Sequence, residues 1–198
     1  MKQLLITILV VSSFGCEVQT GLSDSIYIPD SDYPELPAYT EWGYNTFGAN
    51  YDRSIFIYSQ NEVPLKVTAK NNELSFIMQG SNGNYWGDYM ALRFVFPDSL
   101  ADTYQDLLVY NDTIIDLTRD DVTVERIYNG VSEILDVLEG ELEFKRSQKV
   151  FVDDVEQQII LSGYFDLRFL VNEIPSNLSN GRFDFGVNEE NFYNLNEL

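Results

Sequence analysis

The sequence predicts an all-β fold, an antiparallel β-sandwich with one or two short helices, a partly closed barrel being the alternative. Three observations lead there. Phe and Tyr occur 13 times each in a chain of 198 residues that is 44% hydrophobic and 14% aromatic. That composition suits half-buried strands and is too apolar for a disordered chain. Beyond residue 43, hydrophobic residues recur at every second position in run after run, the spacing at which strand side chains return to one face. Pairs of Asn and Asp punctuate these runs, and both residues tolerate the positive φ of a tight hairpin.

Ahead of the strands stands an export signal. Met1-Lys2 supplies a positive start, and Leu4 to Val11 an apolar stretch too short to span a bilayer. In Ser13-Phe14-Gly15-Cys16, the small residues Ser13 and Gly15 satisfy the rule for cleavage before Cys16. The segment also resembles a bacterial lipobox, in which the cysteine after the cut takes a diacylglyceryl group through its thiol. Ser13 departs from that pattern, which usually has Leu there. Cys16 is the only cysteine of the chain, and left unmodified it would be an exposed reactive thiol. Residues 1–15 are therefore expected to be a signal peptide and Cys16 a lipidated membrane anchor. This places the protein in the cell envelope, held by lipid to the outer membrane and either periplasmic or surface-exposed.

From Cys16 to Trp42 the chain carries Pro29, Pro34 and Pro37 among Ser, Asp, Thr and Gly without sustained alternation, which reads as a flexible tether. Trp42 is expected to cover the sheet edge where this tether arrives. Residues 43–198 then form one β domain, long enough to bury a core of its own.

Within that domain Leu65, Val67 and Ala69 alternate with Lys66, Thr68 and Lys70. Leu74, Phe76 and Met78 form a second apolar row, and Met90, Leu92, Phe94 and Phe96 a third. Leu142 and Phe144 face away from Glu141, Glu143 and Lys145. Phe165, Leu167 and Phe169 oppose Asp166 and Arg168, and Phe183, Phe185 and Val187 close the series. Asn71-Asn72, Asn111-Asp112 and Asp153-Asp154 are expected to be two-residue hairpin loops. About nine or ten short antiparallel strands follow from this count. Two stretches depart from period two. Ser99 to Asp102 resembles a capping box ahead of Tyr104, Leu107 and Leu108, predicting a short helix. Val131, Ile134, Leu135 and Leu138 have helical spacing before Gly140, so that segment reads as helix or strand.

Two distant segments carry a family likeness. Gly43-Tyr44-Asn45-Thr46-Phe47-Gly48-Ala49 stands at the start of the domain. Leu161-Ser162-Gly163-Tyr164-Phe165-Asp166-Leu167-Arg168-Phe169 and Ser179-Asn180-Gly181-Arg182-Phe183-Asp184 stand near its end. Together they resemble a group of uncharacterised lipoproteins of Bacteroidetes with an Asn-Thr-Phe-Gly-Ala-like opening strand and a closing Asn-Gly-Arg-Phe-Asp hairpin. Where that group often has Asn-Gly-Lys after the opening motif, this chain has Asn50-Tyr51-Asp52-Arg53. The resemblance implies a β-rich envelope lipoprotein and no particular activity. Read physically, Asn180-Gly181 is a turn pair, while Gly43, Gly48 and Gly163 mark bulges or close backbone approaches.

Composition narrows the chemistry. The chain has no His and one Cys, so triads with a His base are excluded, and metal sites built on nitrogen or sulfur ligands lose their donors. No metal site and no cofactor is expected. A net charge of −20 is wrong for nucleic acid, whose phosphates need a cationic face. Acid-rich Arg119-Asp120-Asp121 and Asp153-Asp154 offer calcium oxygen ligands, although turns explain them more simply. Catalysis would have to rest on paired carboxylates, as in a glycosidase. Asp24-Ser25-Ile26, Asp98-Ser99-Leu100 and Asp112-Thr113-Ile114 resemble the Asp-Ser/Thr-apolar sites that carry O-glycans on exported Bacteroidetes proteins. The loop from Ser81 to Tyr89 offers Asn82, Asn84, Tyr85, Trp86, Asp88 and Tyr89, aromatic faces beside amides and carboxylates, the materials of a sugar platform. Packing of Tyr85 and Trp86 over one end of the core is the plainer account. The expected function is thus that of a non-enzymatic binding or structural module, with a membrane contacted through the lipid anchor and a glycan or an envelope protein as partner. A carboxylate-based hydrolase and an interaction scaffold are the alternatives.

Overall fold

A computed structural model of the chain describes residues 25–58, 63–83, 89–97 and 99–196. The leader, Cys16 and the first part of the tether lie outside these residues. The described chain is all-β, as the alternation predicts, with twelve strands and one short 3-10 helix. The strands are Thr46–Tyr51 (β1), Ser54–Tyr58 (β2), Leu65–Lys70 (β3) and Glu73–Asn82 (β4). Tyr89–Pro97 (β5), Thr113–Asp116 (β6), Thr123–Tyr128 (β7) and Val131–Ile134 (β8) follow. The longest are Asp136–Val152 (β9), Val155–Val171 (β10) and Ile174–Val187 (β11), and Phe192–Asn194 (β12) ends the series.

The hydrogen-bonded path runs β6-β9-β10-β11-β1-β2-β4-β5-β7-β8 and does not close. β3 branches from β4, and β12 adds to β3 as the one parallel pair among the described residues. Far-apart members of this path nevertheless meet through their side chains. Phe76 of β4 lies 5.3 Å from Phe144 of β9, and Phe94 of β5 lies 6.3 Å from Phe165 of β10, ring centre to ring centre. The sheet therefore turns back on itself into two layers with a phenylalanine core between them, the sandwich predicted. Phe94, Phe144, Phe165, Phe169 and Phe183 are all buried in it. Tyr104–Tyr110 forms the 3-10 helix, which plugs one end by burying Leu107 and setting Tyr110 among Phe76, Phe96 and Phe144. Its capping box is Thr103 with Asp106, four residues beyond the predicted Ser99.

Asn71-Asn72 and Asp153-Asp154 turn as expected, each residue with φ between 49° and 63°. Asn111-Asp112 instead links the 3-10 helix to β6. Asn180-Gly181 is not a turn, because it lies inside β11. Both neighbours slip register there, Phe165/Leu167 on β10 and Gly48/Asn50 on β1, so β11 carries one extra residue. Asn180, at φ 53°, takes up the bulge. Val131–Ile134 is strand β8 and Leu138 lies in β9, with Leu135 between the two, and Val131 and Ile134 are exposed, so the helical spacing is incidental. Asp52-Arg53, Asn129-Gly130 and Asn172-Glu173 also turn between strands. These turns, which the sequence pattern did not place, go with twelve described strands where about nine or ten were expected.

The largest departure is at the amino-terminal side. From Ser25 to Tyr44 the chain is a strap laid over the outer face of β1, β10 and β11. Tyr39 stacks on Tyr164 of β10 with ring centres 4.6 Å apart, and Leu36 is fully buried. Pro29 bridges Pro37, folding the strap back on itself. The flexible tether expected up to Trp42 is thus replaced by ordered chain from residue 25. Three prolines had suggested flexibility, whereas their fixed φ makes an irregular segment cheap to order. Trp42, expected to cover the sheet edge, is instead 71% exposed.

Candidate functional site

The outer face of β10 and β11 organises the surface. Strand alternation sends Ile160, Ser162, Tyr164, Asp166 and Arg168 outward from β10, and Arg182 and Asp184 outward from β11. At one end the strap covers them, so Ile160, Ser162, Arg182 and Asp184 are buried although they point away from the core. At the other end Asp166 and Arg168 stay exposed.

Asp184 is the anchor of the strap. Its Oδ1 accepts the backbone N–H of Gly43 at 2.8 Å, and its Oδ2 accepts those of Trp42 at 3.2 Å and Tyr44 at 3.1 Å. The Thr40 hydroxyl donates to the same oxygen. A turn with converging N–H groups would be costly to bury without an acceptor, and one carboxylate supplies it. Two ion pairs finish the attachment. Arg182 meets Asp30 at 2.5 Å and Arg146 meets Glu41 at 3.0 Å. Partial burial opposes ionisation of Asp30, but the N–H groups of Tyr33 and Asp32 and the Arg182 charge together hold its carboxyl below the usual range. Glu41 is likewise lowered, first by its hydrogen bond from Arg146 and then by that from Tyr39. Burial against β10 pushes the Tyr39 hydroxyl well above its ordinary value.

This seam joins the opening segment from Gly43 to Ala49 to the closing segment from Ser179 to Asp184. In register, Thr46 faces Asp184, Phe47 faces Phe183 and Gly48 faces Arg182, so the opening and closing motifs are neighbouring strands. A Cβ on Gly48 would sit 2.6 Å from Cδ of Pro37 in the strap, and one on Gly163 would sit 1.8 Å from the Glu143 carbonyl oxygen. Both glycines are close approaches, as the sequence suggested.

Beyond the strap lies a groove of about 310 Å³, lined by Glu139, Glu141, Glu143, Tyr164, Asp166, Arg168 and Asn177 among others. Glu141 and Asp166 are directly opposed across the β9–β10 ladder. Desolvation, followed by the charge of Glu141, raises the proton affinity of Asp166, against the opposing effect of the Asn180 N–H that it accepts. Lys145 pairs with Glu143 at 2.6 Å, and Arg168 lies 3.8 Å from Glu139. The arrangement combines hydroxyl-accepting carboxylates, a guanidinium, an amide and the edge of a tyrosine, all on rigid strands. A second cavity of about 310 Å³ is lined by Tyr104, Glu156, Gln157, Asn188, Glu189 and Glu190. Among the described residues, no group of three or more Asp, Glu, Cys or His side chains is placed to hold a metal ion. Asp121 of one acid-rich loop is paired with Arg119.

Of the predicted sugar platform, Asn84, Tyr85, Trp86 and Asp88 lie outside the described residues. Its flanks are Asn82, which accepts a hydrogen bond from the Ser54 hydroxyl at 2.8 Å, and Tyr89, whose hydroxyl donates to Gln79 at 3.3 Å. Both serve the sheet. Sequence reasoning placed Asp166 and Arg168 outward but missed the groove, because Glu139, Glu141 and Asn177 reach it only through strand pairing. It also missed the strap contacts of Asp30, Tyr39 and Glu41, for which no local pattern exists. No protein-family model, curated protein or solved structure matches the chain.

Proposed function

We propose that the protein is a cell-envelope lipoprotein, anchored to the outer membrane through Cys16, whose β domain is a non-enzymatic binding module for a glycan. The leader and the lone cysteine at its end support the anchor, and the likeness to Bacteroidetes lipoproteins agrees with it. The ligand class rests on one observation, the groove along β9, β10 and β11. Its carboxylates accept hydroxyl hydrogen bonds, Arg168 and Asn177 donate them, and the strands hold all of these in place before a ligand arrives.

A glycan array probed with the protein tests this, followed by Asp166→Asn and Trp86→Ala variants. Loss of binding with Asp166→Asn assigns the groove, and loss with Trp86→Ala assigns the loop from Ser81 to Tyr89 instead. An array without hits overturns the glycan reading and favours a scaffold that binds an envelope protein.

A carboxylate-based hydrolase is the second reading, favoured by the opposed Glu141 and Asp166. Directly opposed strand residues hold their side chains about 4.5–5.5 Å apart at Cβ, and retaining glycosidases need two carboxyl groups of unequal proton affinity about 5 Å apart. Product analysis of any glycan bound decides between the two, since a module returns it intact and a hydrolase cleaves it.

A further inference from the structure

We infer that the tip of the β9–β10 hairpin, Phe151, Val152 and Val155, rests on the lipid surface into which Cys16 is anchored. This builds on the lipid-anchor reading above. Asp153-Asp154 turn the hairpin with φ of 49° and 62°. Beside the turn Val152 pairs with Val155, and Phe151 with Glu156. All three apolar side chains face solvent, at 58% for Phe151, 47% for Val152 and 59% for Val155. Single exposed apolar residues are ordinary, but apolar side chains exposed on both faces of one hairpin tip, Val152 with Val155 on one and Phe151 on the other, make the kind of surface that a bilayer interface covers.

The place where the described chain begins selects that occupant. The Ser25 hydroxyl donates to the carbonyl of Asn45 at 2.8 Å, and the Asn45 side chain accepts the N–H of Gly186 at 2.8 Å. Gly186 is the strand partner of Ile160, so the chain enters the domain beside the β10 segment that leads to the tip. From Ile160 to Val155 is about 16 Å of strand, and from Ile160 to Val171 at the far end about 36 Å. Nine Cα–Cα steps join Cys16 to Ser25, a reach of at most about 32 Å. The anchor therefore brings the Phe151 end of the sandwich to the lipid, and the end carrying Ile174 points away. Asp153 and Asp154 then stay among the headgroups, and the chain's net charge of −20 favours a zwitterionic surface over an anionic one.

The test uses the full acylated protein in phosphatidylethanolamine–phosphatidylcholine vesicles. Because Cys16 is the only cysteine and its thiol would be acylated, Phe151→Cys or Ile174→Cys provides a single site for an environment-sensitive fluorophore. Ile174, 67% exposed, reports the opposite end. The fluorophore at position 151 is expected to shift its emission to the blue and to be quenched by brominated lipid, while the one at position 174 stays as in water. Position 151 reading water in protein whose acylation is verified by mass overturns the inference and leaves the anchor standing. Shielding at position 151 without lipid quenching also overturns it, by showing that a protein covers the tip. Cys16 found without acyl chains overturns the anchor reading and the inference together.

Discussion

Asp184 accepts the backbone N–H of Gly43 at 2.8 Å, across 141 residues of sequence, and through this contact a buried carboxylate on the last long strand fixes the turn by which the amino-terminal strap enters the domain. Asp184→Ala removes the acceptor for three backbone N–H groups at once. Each buried donor left unsatisfied costs about 1–3 kcal/mol, so the variant is expected to lose roughly 3 kcal/mol or more and to exchange the amides of residues 42–44 rapidly. Asp184→Asn keeps one acceptor oxygen and should fall between. Denaturant melts with amide exchange check both, and wild-type stability of Asp184→Ala contradicts this role.

Gly48 and Gly163 should respond differently to the same substitution. In Gly48→Ala the new Cβ meets Pro37 of the strap, which can lift, so a loss of about 1–3 kcal/mol is expected together with new protease cleavage between residues 26 and 42. In Gly163→Ala it meets the Glu143 backbone, and neither strand can give way without breaking the ladder. That variant should unfold the whole sandwich at lower temperature. Equal melting of the two variants would show that the strap is not an independent layer.

Attachment of the strap should weaken in acid. The carboxyl groups of Asp30 and Glu41 are held below their ordinary range, so they contribute stability that is complete above their unfolded values, roughly 3.9 and 4.3. That contribution is lost as pH falls through the lower folded values. Cleavage within the strap is therefore expected to rise below about pH 4, while buried β10 amides remain protected. Glu41→Gln should flatten the dependence, and an unchanged pH profile would remove Glu41 from the account.

Asp166 carries the opposite sign. Its proton affinity is raised by desolvation and then by Glu141, so its ionised form opposes folding at neutral pH and the penalty fades as pH falls through the raised value. Asp166→Asn retains an oxygen for the Asn180 N–H and removes the charge. It should be neutral or stabilising at pH 7, with the difference from wild type vanishing in acid. Thermal melts at several pH values measure this, and clear destabilisation at pH 7 would contradict it.

The core makes a simpler prediction. Phe165 and Phe144 are buried on the neighbouring strands β10 and β9, facing the other layer, and truncation of either to Ala is expected to cost about 3–5 kcal/mol. Arg168→Ala, on the exposed side of the same strand as Phe165, should change stability little. Calorimetry separates these cases.

The residues divide according to the range over which their structure is decided. Period-two alternation in Leu65 to Ala69, Met90 to Phe96 and Phe165 to Phe169 determined strands, core faces and fold class from the sequence alone, because the pleat is a local property of the backbone. The turns at Asn71-Asn72 and Asp153-Asp154 were legible for the same reason, since positive φ is a preference of the residue itself. The Asn180 bulge was not, because the same Asn-Gly pair turns a hairpin or widens a strand according to what lies beside it, here β1 and β10. Burial of Ser162, Arg182 and Asp184 on an outward face, the ordering of residues 25–44 and the opposition of Glu141 to Asp166 were decided only by the tertiary structure. Each is a contact between chain segments tens to more than a hundred residues apart, and at that separation a residue's type says what it can bond to while strand register decides what it meets.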